Sequence, residues 1–284
     1  MDLNRVTEFY QPTSLAEVPS WQDGFSWLAG GTWLFSEPQP ALRVLIDLDA
    51  LSWPPLRVLP GGLEIGATCK IAELESFGAP PEWNAASLIP QCCRALQASF
   101  KVSNTATVGG NICLSLPAGA MVSLTAALEG VATIWTLDGV SREVPIVDFV
   151  TGDHANVLAR SELLRSIFLP ASAMRKRFAV RRFSLTSLGR SSVFVIGTLC
   201  PATGALRITL TAATVRPIPL VFEDYPGPSE LAAAIDEYVT PDLYFDDSHG
   251  TREHRRHLTY YYAEQIRGEL GRVRYQQSTV SSKQ

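Results

Sequence analysis

No segment of this 284-residue chain is apolar for long enough to cross a bilayer as a helix, and its opening residues lack the apolar stretch of a signal peptide. The expectation is a soluble, cytoplasmic protein with no membrane span. Positive charge is also scarce: 24 Lys and Arg stand against 28 Asp and Glu, a net charge of -4. A protein held to nucleic acid through phosphates needs a basic face to displace counterions, so nucleic acid is excluded as a main partner. Any anionic ligand must be held by local features instead.

Cysteine is sparse and badly placed for cross-links or metals. Cys69, Cys92, Cys93, Cys113 and Cys200 are odd in number and contain no C-x-x-C spacing, which excludes a disulfide framework and a zinc or iron-sulfur site. They read as reduced structural thiols. Neither the G-x-G-x-x-G dinucleotide pattern nor a P-loop lysine is present. Histidine is rare too: His154 has no evident triad partners. His249, His254 and His257, interleaved with Arg252, Arg255 and Arg256, read as a solvated helix face rather than a metal site.

What remains is 46% hydrophobic and 18% charged, enough for a sizeable core in one large or two moderate domains. Ser14 and Glu17 have capping-box spacing. Strands are predicted at Phe25 to Ala29, Arg43 to Leu48 and Leu63 to Ala67, together making a small βαββ unit. Helical spacing runs from Ala85 to Phe100 and again from Val122 to Leu128. Asp138-Gly139 predicts a hairpin between Val131–Leu137 and Ser141–Pro145, and Leu163 to Leu169 is a further strand. The basic stretches Arg175-Lys176-Arg177 and Arg181-Arg182 mark a boundary. Beyond it lie an antiparallel pair, Ser192–Leu199 with Ala205–Ala213, and helices at Ser229–Tyr238 and Thr251–Leu270. Tyr260-Tyr261-Tyr262 points round that last helix in three directions, which makes at least one ring part of the core.

Two glycine pairs carry the chemistry. In Leu28-Ala29-Gly30-Gly31-Thr32 a strand end meets two residues that tolerate positive φ and close backbone approach, so successive N–H groups can form an anion nest. In Asn104-Thr105-Ala106-Thr107-Val108-Gly109-Gly110-Asn111-Ile112 a second pair is flanked by Thr107 and Asn111 as donors, with Lys101 supplying nearby positive charge. Facing one another, two such loops would satisfy a pyrophosphate without a metal. Gly189-Arg190-Ser191-Ser192 lacks a strand-turn-helix context and reads as a turn. Trp33 reads first as a buried core residue and, as the alternative, as a ring that stacks on an aromatic cofactor surface.

On these residues, with Phe9 to Leu15, Leu63 to Ala67, Pro145 to Phe149 and Glu162-Leu163-Leu164, the chain resembles the FAD-binding subunits and domains of molybdenum hydroxylases. That family includes xanthine dehydrogenase and the medium subunit of aerobic carbon monoxide dehydrogenase. The resemblance implies an α+β, vanillyl-alcohol-oxidase-like FAD-binding fold of two subdomains, residues 1–57 and 58–173. A small C-terminal α+β domain follows at 174–272, with a three-stranded antiparallel sheet and helices, then a disordered tail at 273–284. It implies that Leu28, Ala29, Gly30, Gly31, Thr32, Trp33 and Leu34, with Lys101, Asn104, Thr107, Val108, Gly109, Gly110 and Asn111, surround the FAD pyrophosphate. Leu163 and Leu164 would lie against the flavin, Arg177 would stand where the family often has a lysine near the ring, and Ala120 falls where an aspartate often orients the cofactor. Trp33, Ser103 and Ala120 depart from the family's usual residues.

By the same resemblance the chain is an electron relay. It would take electrons from iron-sulfur clusters of a small subunit, beside a large subunit holding the molybdenum cofactor, in a dimer of heterotrimers. It would pass them to NAD, oxygen, a quinone or another carrier, and no catalytic or metal-ligating residue is expected on this chain. Two rivals stand beside this reading: a stand-alone FAD-dependent oxidoreductase, and a flavin-free assembly subunit.

Overall fold

The computed structural model describes residues 3–187 and 189–281, with side chains described through residue 272. Three short strands, β1 (Glu8–Tyr10), β2 (Phe25–Leu28) and β3 (Val44–Asp47), form a parallel sheet with β3 in the middle. Val44, Leu45 and Ile46 are all buried, as a strand covered on both faces requires. Ser14 makes no cap. The turn Leu15–Glu17 is a single 3-10 turn, and the Glu17 carboxylate reaches one residue further back, accepting from the Thr13 amide at 2.7 Å and its hydroxyl at 2.9 Å.

The second module is built on five antiparallel strands. β4 (Leu56–Leu59) and β5 (Gly62–Gly66) lead into α1 (Ile71–Glu75), α2 (Leu88–Ala95), α3 (Phe100–Ser103), α4 (Val108–Leu114) and α5 (Ala120–Ala127). The chain returns through β6 (Val131–Trp135), β7 (Ser141–Pro145), α6 (Ile146–Phe149), β8 (Val150–Gly152), β9 (Ala155–Asn156), β10 (Leu163–Pro170) and α7 (Ala171–Met174). The sheet order is β4-β5-β10-β6-β7, so the strand over 63–67 pairs with β4 and β10 and is not part of a βαββ unit with β2 and β3. The expected division at residue 57 falls inside β4. Helical spacing over 85–100 is interrupted, because Gln97 adopts φ 57° directly after α2 and reverses the chain before α3.

The third module is a four-stranded antiparallel sheet, not a three-stranded one: β11 (Arg177–Phe183), β12 (Val193–Leu199), β13 (Leu206–Thr211) and β14 (Ile218–Phe222) in that order. Sequence reading found the two central strands and missed both edges. β11 is hidden by its arginines, and β14 contains Pro219, which an edge strand tolerates because its missing N–H is not needed by a further neighbour. α8 (Pro228–Tyr238) and α9 (Arg252–Ser281) cover the sheet. Of the tail expected to be disordered at 273–284, residues 273–281 continue α9 and residues 282–284 lie outside the described residues.

α5 joins the second and third modules. All eight of its residues are buried, the condition in which a helix can be apolar all round. It packs on α2 and α4 on one side and on β12 and β13 on the other. Among the described residues its polar ties to the third module are the paired hydroxyls of Ser123 and Thr211 at 2.7 Å and Arg207 Nη2 donating to Ala126 O at 3.5 Å.

Gly197, in the centre of β12, has α9 directly above it: a β-carbon there would lie 2.2 Å from Ile266 Cγ2. Gly197→Ala is expected to destabilise the protein by about 1–3 kcal/mol through overpacking, and the penalty should shrink when Ile266→Ala is added. Denaturant unfolding of the two single variants and the double variant checks this; strictly additive losses would disprove the contact.

Candidate functional site

A cavity of about 1000 Å³ opens where the three modules meet. Its wall includes Leu28 to Leu34 after β2, Thr107 and Gly109 to Asn111 at the start of α4, and Leu163-Leu164 at the start of β10. The two glycine loops touch. A β-carbon on Gly30 would sit 2.1 Å from the Thr105 carbonyl oxygen, so only glycine allows this approach. Gly31 holds φ 66°, the left-handed conformation that bends the loop round Phe35.

The two loops differ in how their amides are used. From Ala29 to Leu34 no backbone N–H finds an acceptor among the described residues. In the second loop Val108 donates to Cys69 O at 2.9 Å, Gly109 to Ala67 O at 2.9 Å, and Asn111 to Thr107 O at 3.1 Å. Gly110 donates to Thr107 Oγ1 at 3.0 Å. Gly109 is glycine for packing: its β-carbon would meet Ala67 Cβ at 2.6 Å. Thr107 therefore caps α4 as an acceptor. Asn111 accepts from the Met121 amide at 3.0 Å through Oδ1, pinning α5 and leaving its NH₂ as the available donor.

Several expected site residues stand elsewhere. Lys101 is exposed on α3, Asn104 closes α3 by donating to Phe100 O at 2.8 Å, and Val108 is core. Ala120 is buried in the first turn of α5, while its neighbours Ala118 and Gly119 line the cavity. Arg177 begins β11, opposite Leu199, whereas the third module meets the cavity beyond the far end of that strand, at Arg190 and Ser191. Trp33 is not core: it is 38% exposed on the cavity wall, 5.8 Å from the ring of His154.

Other lining residues went unremarked in the sequence. Trp21, Phe25 and Trp27 cluster at one edge, with ring centroids 4.9 Å apart for Trp21 and Trp27; their spacing is ordinary for a strand and its approach. The Trp27 indole donates to Glu162 O at 3.0 Å, and the Glu162 carboxylate takes a bidentate Arg142 at 2.7 and 2.9 Å. That hydrogen-bonded guanidinium holds the Glu162 carboxyl below its usual range. His249 lines the cavity rather than a solvated face. Arg255, read with it as solvated, is 1% exposed and binds the carbonyls of Gly250, Ser192 and Ala212 and the Asp247 carboxylate. Desolvation pushes the Cys113 thiol, also on the wall, up to about 12, which favours the neutral thiol. Among the described residues no three His, Cys, Asp or Glu side chains converge as a metal site.

These features fit a dinucleotide cofactor. The volume is at the upper end for small-molecule sites, the walls are aromatic and aliphatic, and a run of unengaged amides suits a diphosphate.

Comparison with known proteins agrees. The family model described as the FAD binding domain in molybdopterin dehydrogenase matches residues 5–172. The chain is 26% identical over 180 residues to xanthine dehydrogenase 2 of Arabidopsis thaliana, covering 59% of this chain and 13% of that protein. It is 29% identical over 121 residues to xanthine dehydrogenase of Oryza sativa subsp. japonica, covering 40% and 9%. It thus spans only a small part of these relatives. Quinoline 2-oxidoreductase from Pseudomonas putida 86 superposes with a TM-score of 0.73 at 21% identity, over 94% of this chain and 97% of that one. CO dehydrogenase from Oligotropha carboxidovorans gives 0.76 at 20% identity, over 91% and 95%. At such identities the likeness establishes the fold.

Two outcomes are expected. FAD at about a hundred times its Kd should raise the stability of the parent by about 2.7 kcal/mol, and Gly30→Ala should lose most of that gain by forcing the loops apart. Thermal unfolding with and without FAD measures it, and an undiminished gain would remove Gly30 from the site. Separately, Glu162→Gln should cost less than about 1 kcal/mol at neutral pH, since Arg142 is 41% exposed. A depressed carboxyl stabilises the fold above its ordinary value, near 4.3, and that contribution is lost as pH falls through the lowered value. The difference from the parent should therefore fade in acid, and a gap independent of pH would contradict the pairing.

Proposed function

The chain belongs to the family of FAD binding domains of molybdopterin dehydrogenases, and from that premise we propose that it is the FAD-carrying electron-relay subunit of a heteromeric molybdenum hydroxylase. It takes electrons from iron-sulfur clusters on a partner subunit and passes them to a terminal acceptor such as NAD, oxygen, a quinone or another carrier. The observation that carries this reading is the row of unengaged amides from Ala29 to Leu34, facing the α4 end across a cavity the three modules share. FAD supplies the crossing between one-electron and two-electron transfer.

The chain's own residues hold and shield that group. Ala29 to Leu34 would take the diphosphate by their N–H groups, with the Asn111 amide as a side-chain donor. Leu28, Leu163 and Leu164, all buried, would cover its rings from water. Thr107, Gly109 and Val108 would act indirectly, by fixing α4 against β5 and against the first loop.

The stand-alone oxidoreductase reading needs a proton-handling group free in the cavity, and the charged groups there are mostly committed. Glu162 is paired with Arg142 and Arg160 with Asp23. A relay needs no acid or base for substrate chemistry, which would belong to a large subunit bearing the molybdenum cofactor, beside a small iron-sulfur subunit.

Purified alone, the chain should carry a flavin chromophore released on denaturation. Expressed with its neighbours, it should copurify with a molybdenum-containing and an iron-sulfur chain. It should show no turnover of N-heterocycles, aldehydes or carbon monoxide without them. Turnover by the isolated flavoprotein would refute the relay, and a colourless chain that still assembles would leave it an assembly subunit.

A further inference from the structure

The loop that carries the unengaged amides is bent back on itself. Phe35 donates its amide to Gly31 O at 2.8 Å, and the amide and hydroxyl of Ser36 both donate to Trp33 O at 2.9 Å. The Trp33 side chain is left at the cavity wall, and among the chain's tryptophans it alone is exposed. Packing within its own module does not hold it.

What it meets belongs to the second module. The Trp33 ring lies 5.8 Å from the ring of His154, with the planes inclined at 47°. His154 is the tip of the β8–β9 hairpin and holds φ 53°, a left-handed conformation that a residue with a side chain keeps only where its surroundings enforce it. Those surroundings are the end of α4. The His154 amide donates to Ser115 O at 3.1 Å, and Asn156 Nδ2 donates to Cys113 O at 2.8 Å and to Ser115 Oγ at 3.3 Å. Asp153 Oδ1, 2.9 Å from His154 Nδ1, sets the imidazole.

The first loop is therefore tied to the second module beside both ends of α4, by Gly30 on the Thr105 carbonyl and by Trp33 on His154. Between the ties Gly109, Gly110, Asn111, Cys113 and Leu114 line the cavity. The two ties differ in kind. The first is a backbone approach that cannot open without moving the strand end, whereas the second joins two side chains, which part by a change of rotamer.

We propose that Trp33 and His154 form an aromatic latch that closes the first loop over the cavity, so that FAD enters and leaves only while the two rings are apart. The proposal rests on the FAD-carrying reading above. Because the rings meet within the protein's own fold, the latch obstructs entry and exit alike. It sets the rate of cofactor exchange and leaves the affinity nearly unchanged, and a ring pair of this kind is worth about threefold to tenfold in that rate.

The test uses full-length protein stripped of flavin and compares the parent with Trp33→Ala, His154→Ala, the double variant and His154→Phe. Stopped-flow flavin fluorescence gives the rates of FAD binding and release. Each alanine variant should raise both rates by about threefold to tenfold and keep Kd within about twofold of the parent. The double variant should be no faster than the faster single one, because both remove the same contact. His154→Phe, which keeps a ring, should exchange as slowly as the parent. Were Trp33 instead stacked on the cofactor, Trp33→Ala would weaken affinity through faster release alone and His154→Ala would change nothing, and that pattern would overturn the latch. Unaltered rates in both alanine variants would do the same. A parent that binds no FAD at all would fail the flavoprotein reading, and the latch with it.

Discussion

The site depends on one close approach: Gly30 against the carbonyl of Thr105, at a distance no β-carbon allows. That contact brings the end of β2 in the first module onto the loop before α4 in the second, and the cavity lies beside the junction. Almost every other feature supports it. Gly109 lets α4 sit down on Ala67, the Cys69 and Ala67 carbonyls take the Val108 and Gly109 amides, and Asn111 ties α4 to α5. The second loop is a fixed anvil. The first loop, with its amides unengaged, is the face left to meet a ligand.

This asymmetry revises the expectation of a diphosphate clasped equally from two sides. Glycine pairs in a sequence announce either tight packing or ligand approach, and spacing alone does not distinguish them. Here both pairs pack closely, Gly30 on the Thr105 carbonyl and Gly109 on Ala67, and the pairs differ in that the first leaves its amides without acceptors among the described residues. A buried amide must find an acceptor somewhere, so the bonds already made at 108–111 leave little for a ligand, and the free amides at 29–34 leave much.

Legibility in the sequence followed the strength of local signals. Asp138-Gly139 fixed the β6–β7 hairpin because its turn chemistry is local, and the apolar run at 44–46 announced a buried strand for the same reason. β11 was missed because its three arginines interrupt the apolar alternation of Phe178, Ala179, Val180 and Phe183. Trp33 was taken for core, since nothing local shows that the residues after Gly31 line an open cavity. His249 and Arg255 were read together as solvated by the company of other charges. Their true environments, a cavity wall and a buried cage, depend on residues some forty or more positions away, with the Ser192 and Ala212 carbonyls closing on Arg255 beside the local Gly250 and Asp247. The turn at 189–192 was recognised as a turn, but its place at the cavity is tertiary information.

α5 explains why these modules cannot be treated as independent. It is buried on every side, between the helices that carry the second loop and the sheet that carries Arg190. Separating the third module from the second would expose that apolar helix and break the Ser123–Thr211 hydrogen bond, a cost of several kcal/mol dominated by the exposed apolar area. A ligand that touches all three modules therefore binds a preassembled frame, and little of its binding energy goes to ordering the protein. For an electron relay this matters physically, because a ring held in a rigid setting keeps its distance to donor and acceptor constant through each transfer. In the proposed relay, the burial of α5 on every side would be what holds that frame together.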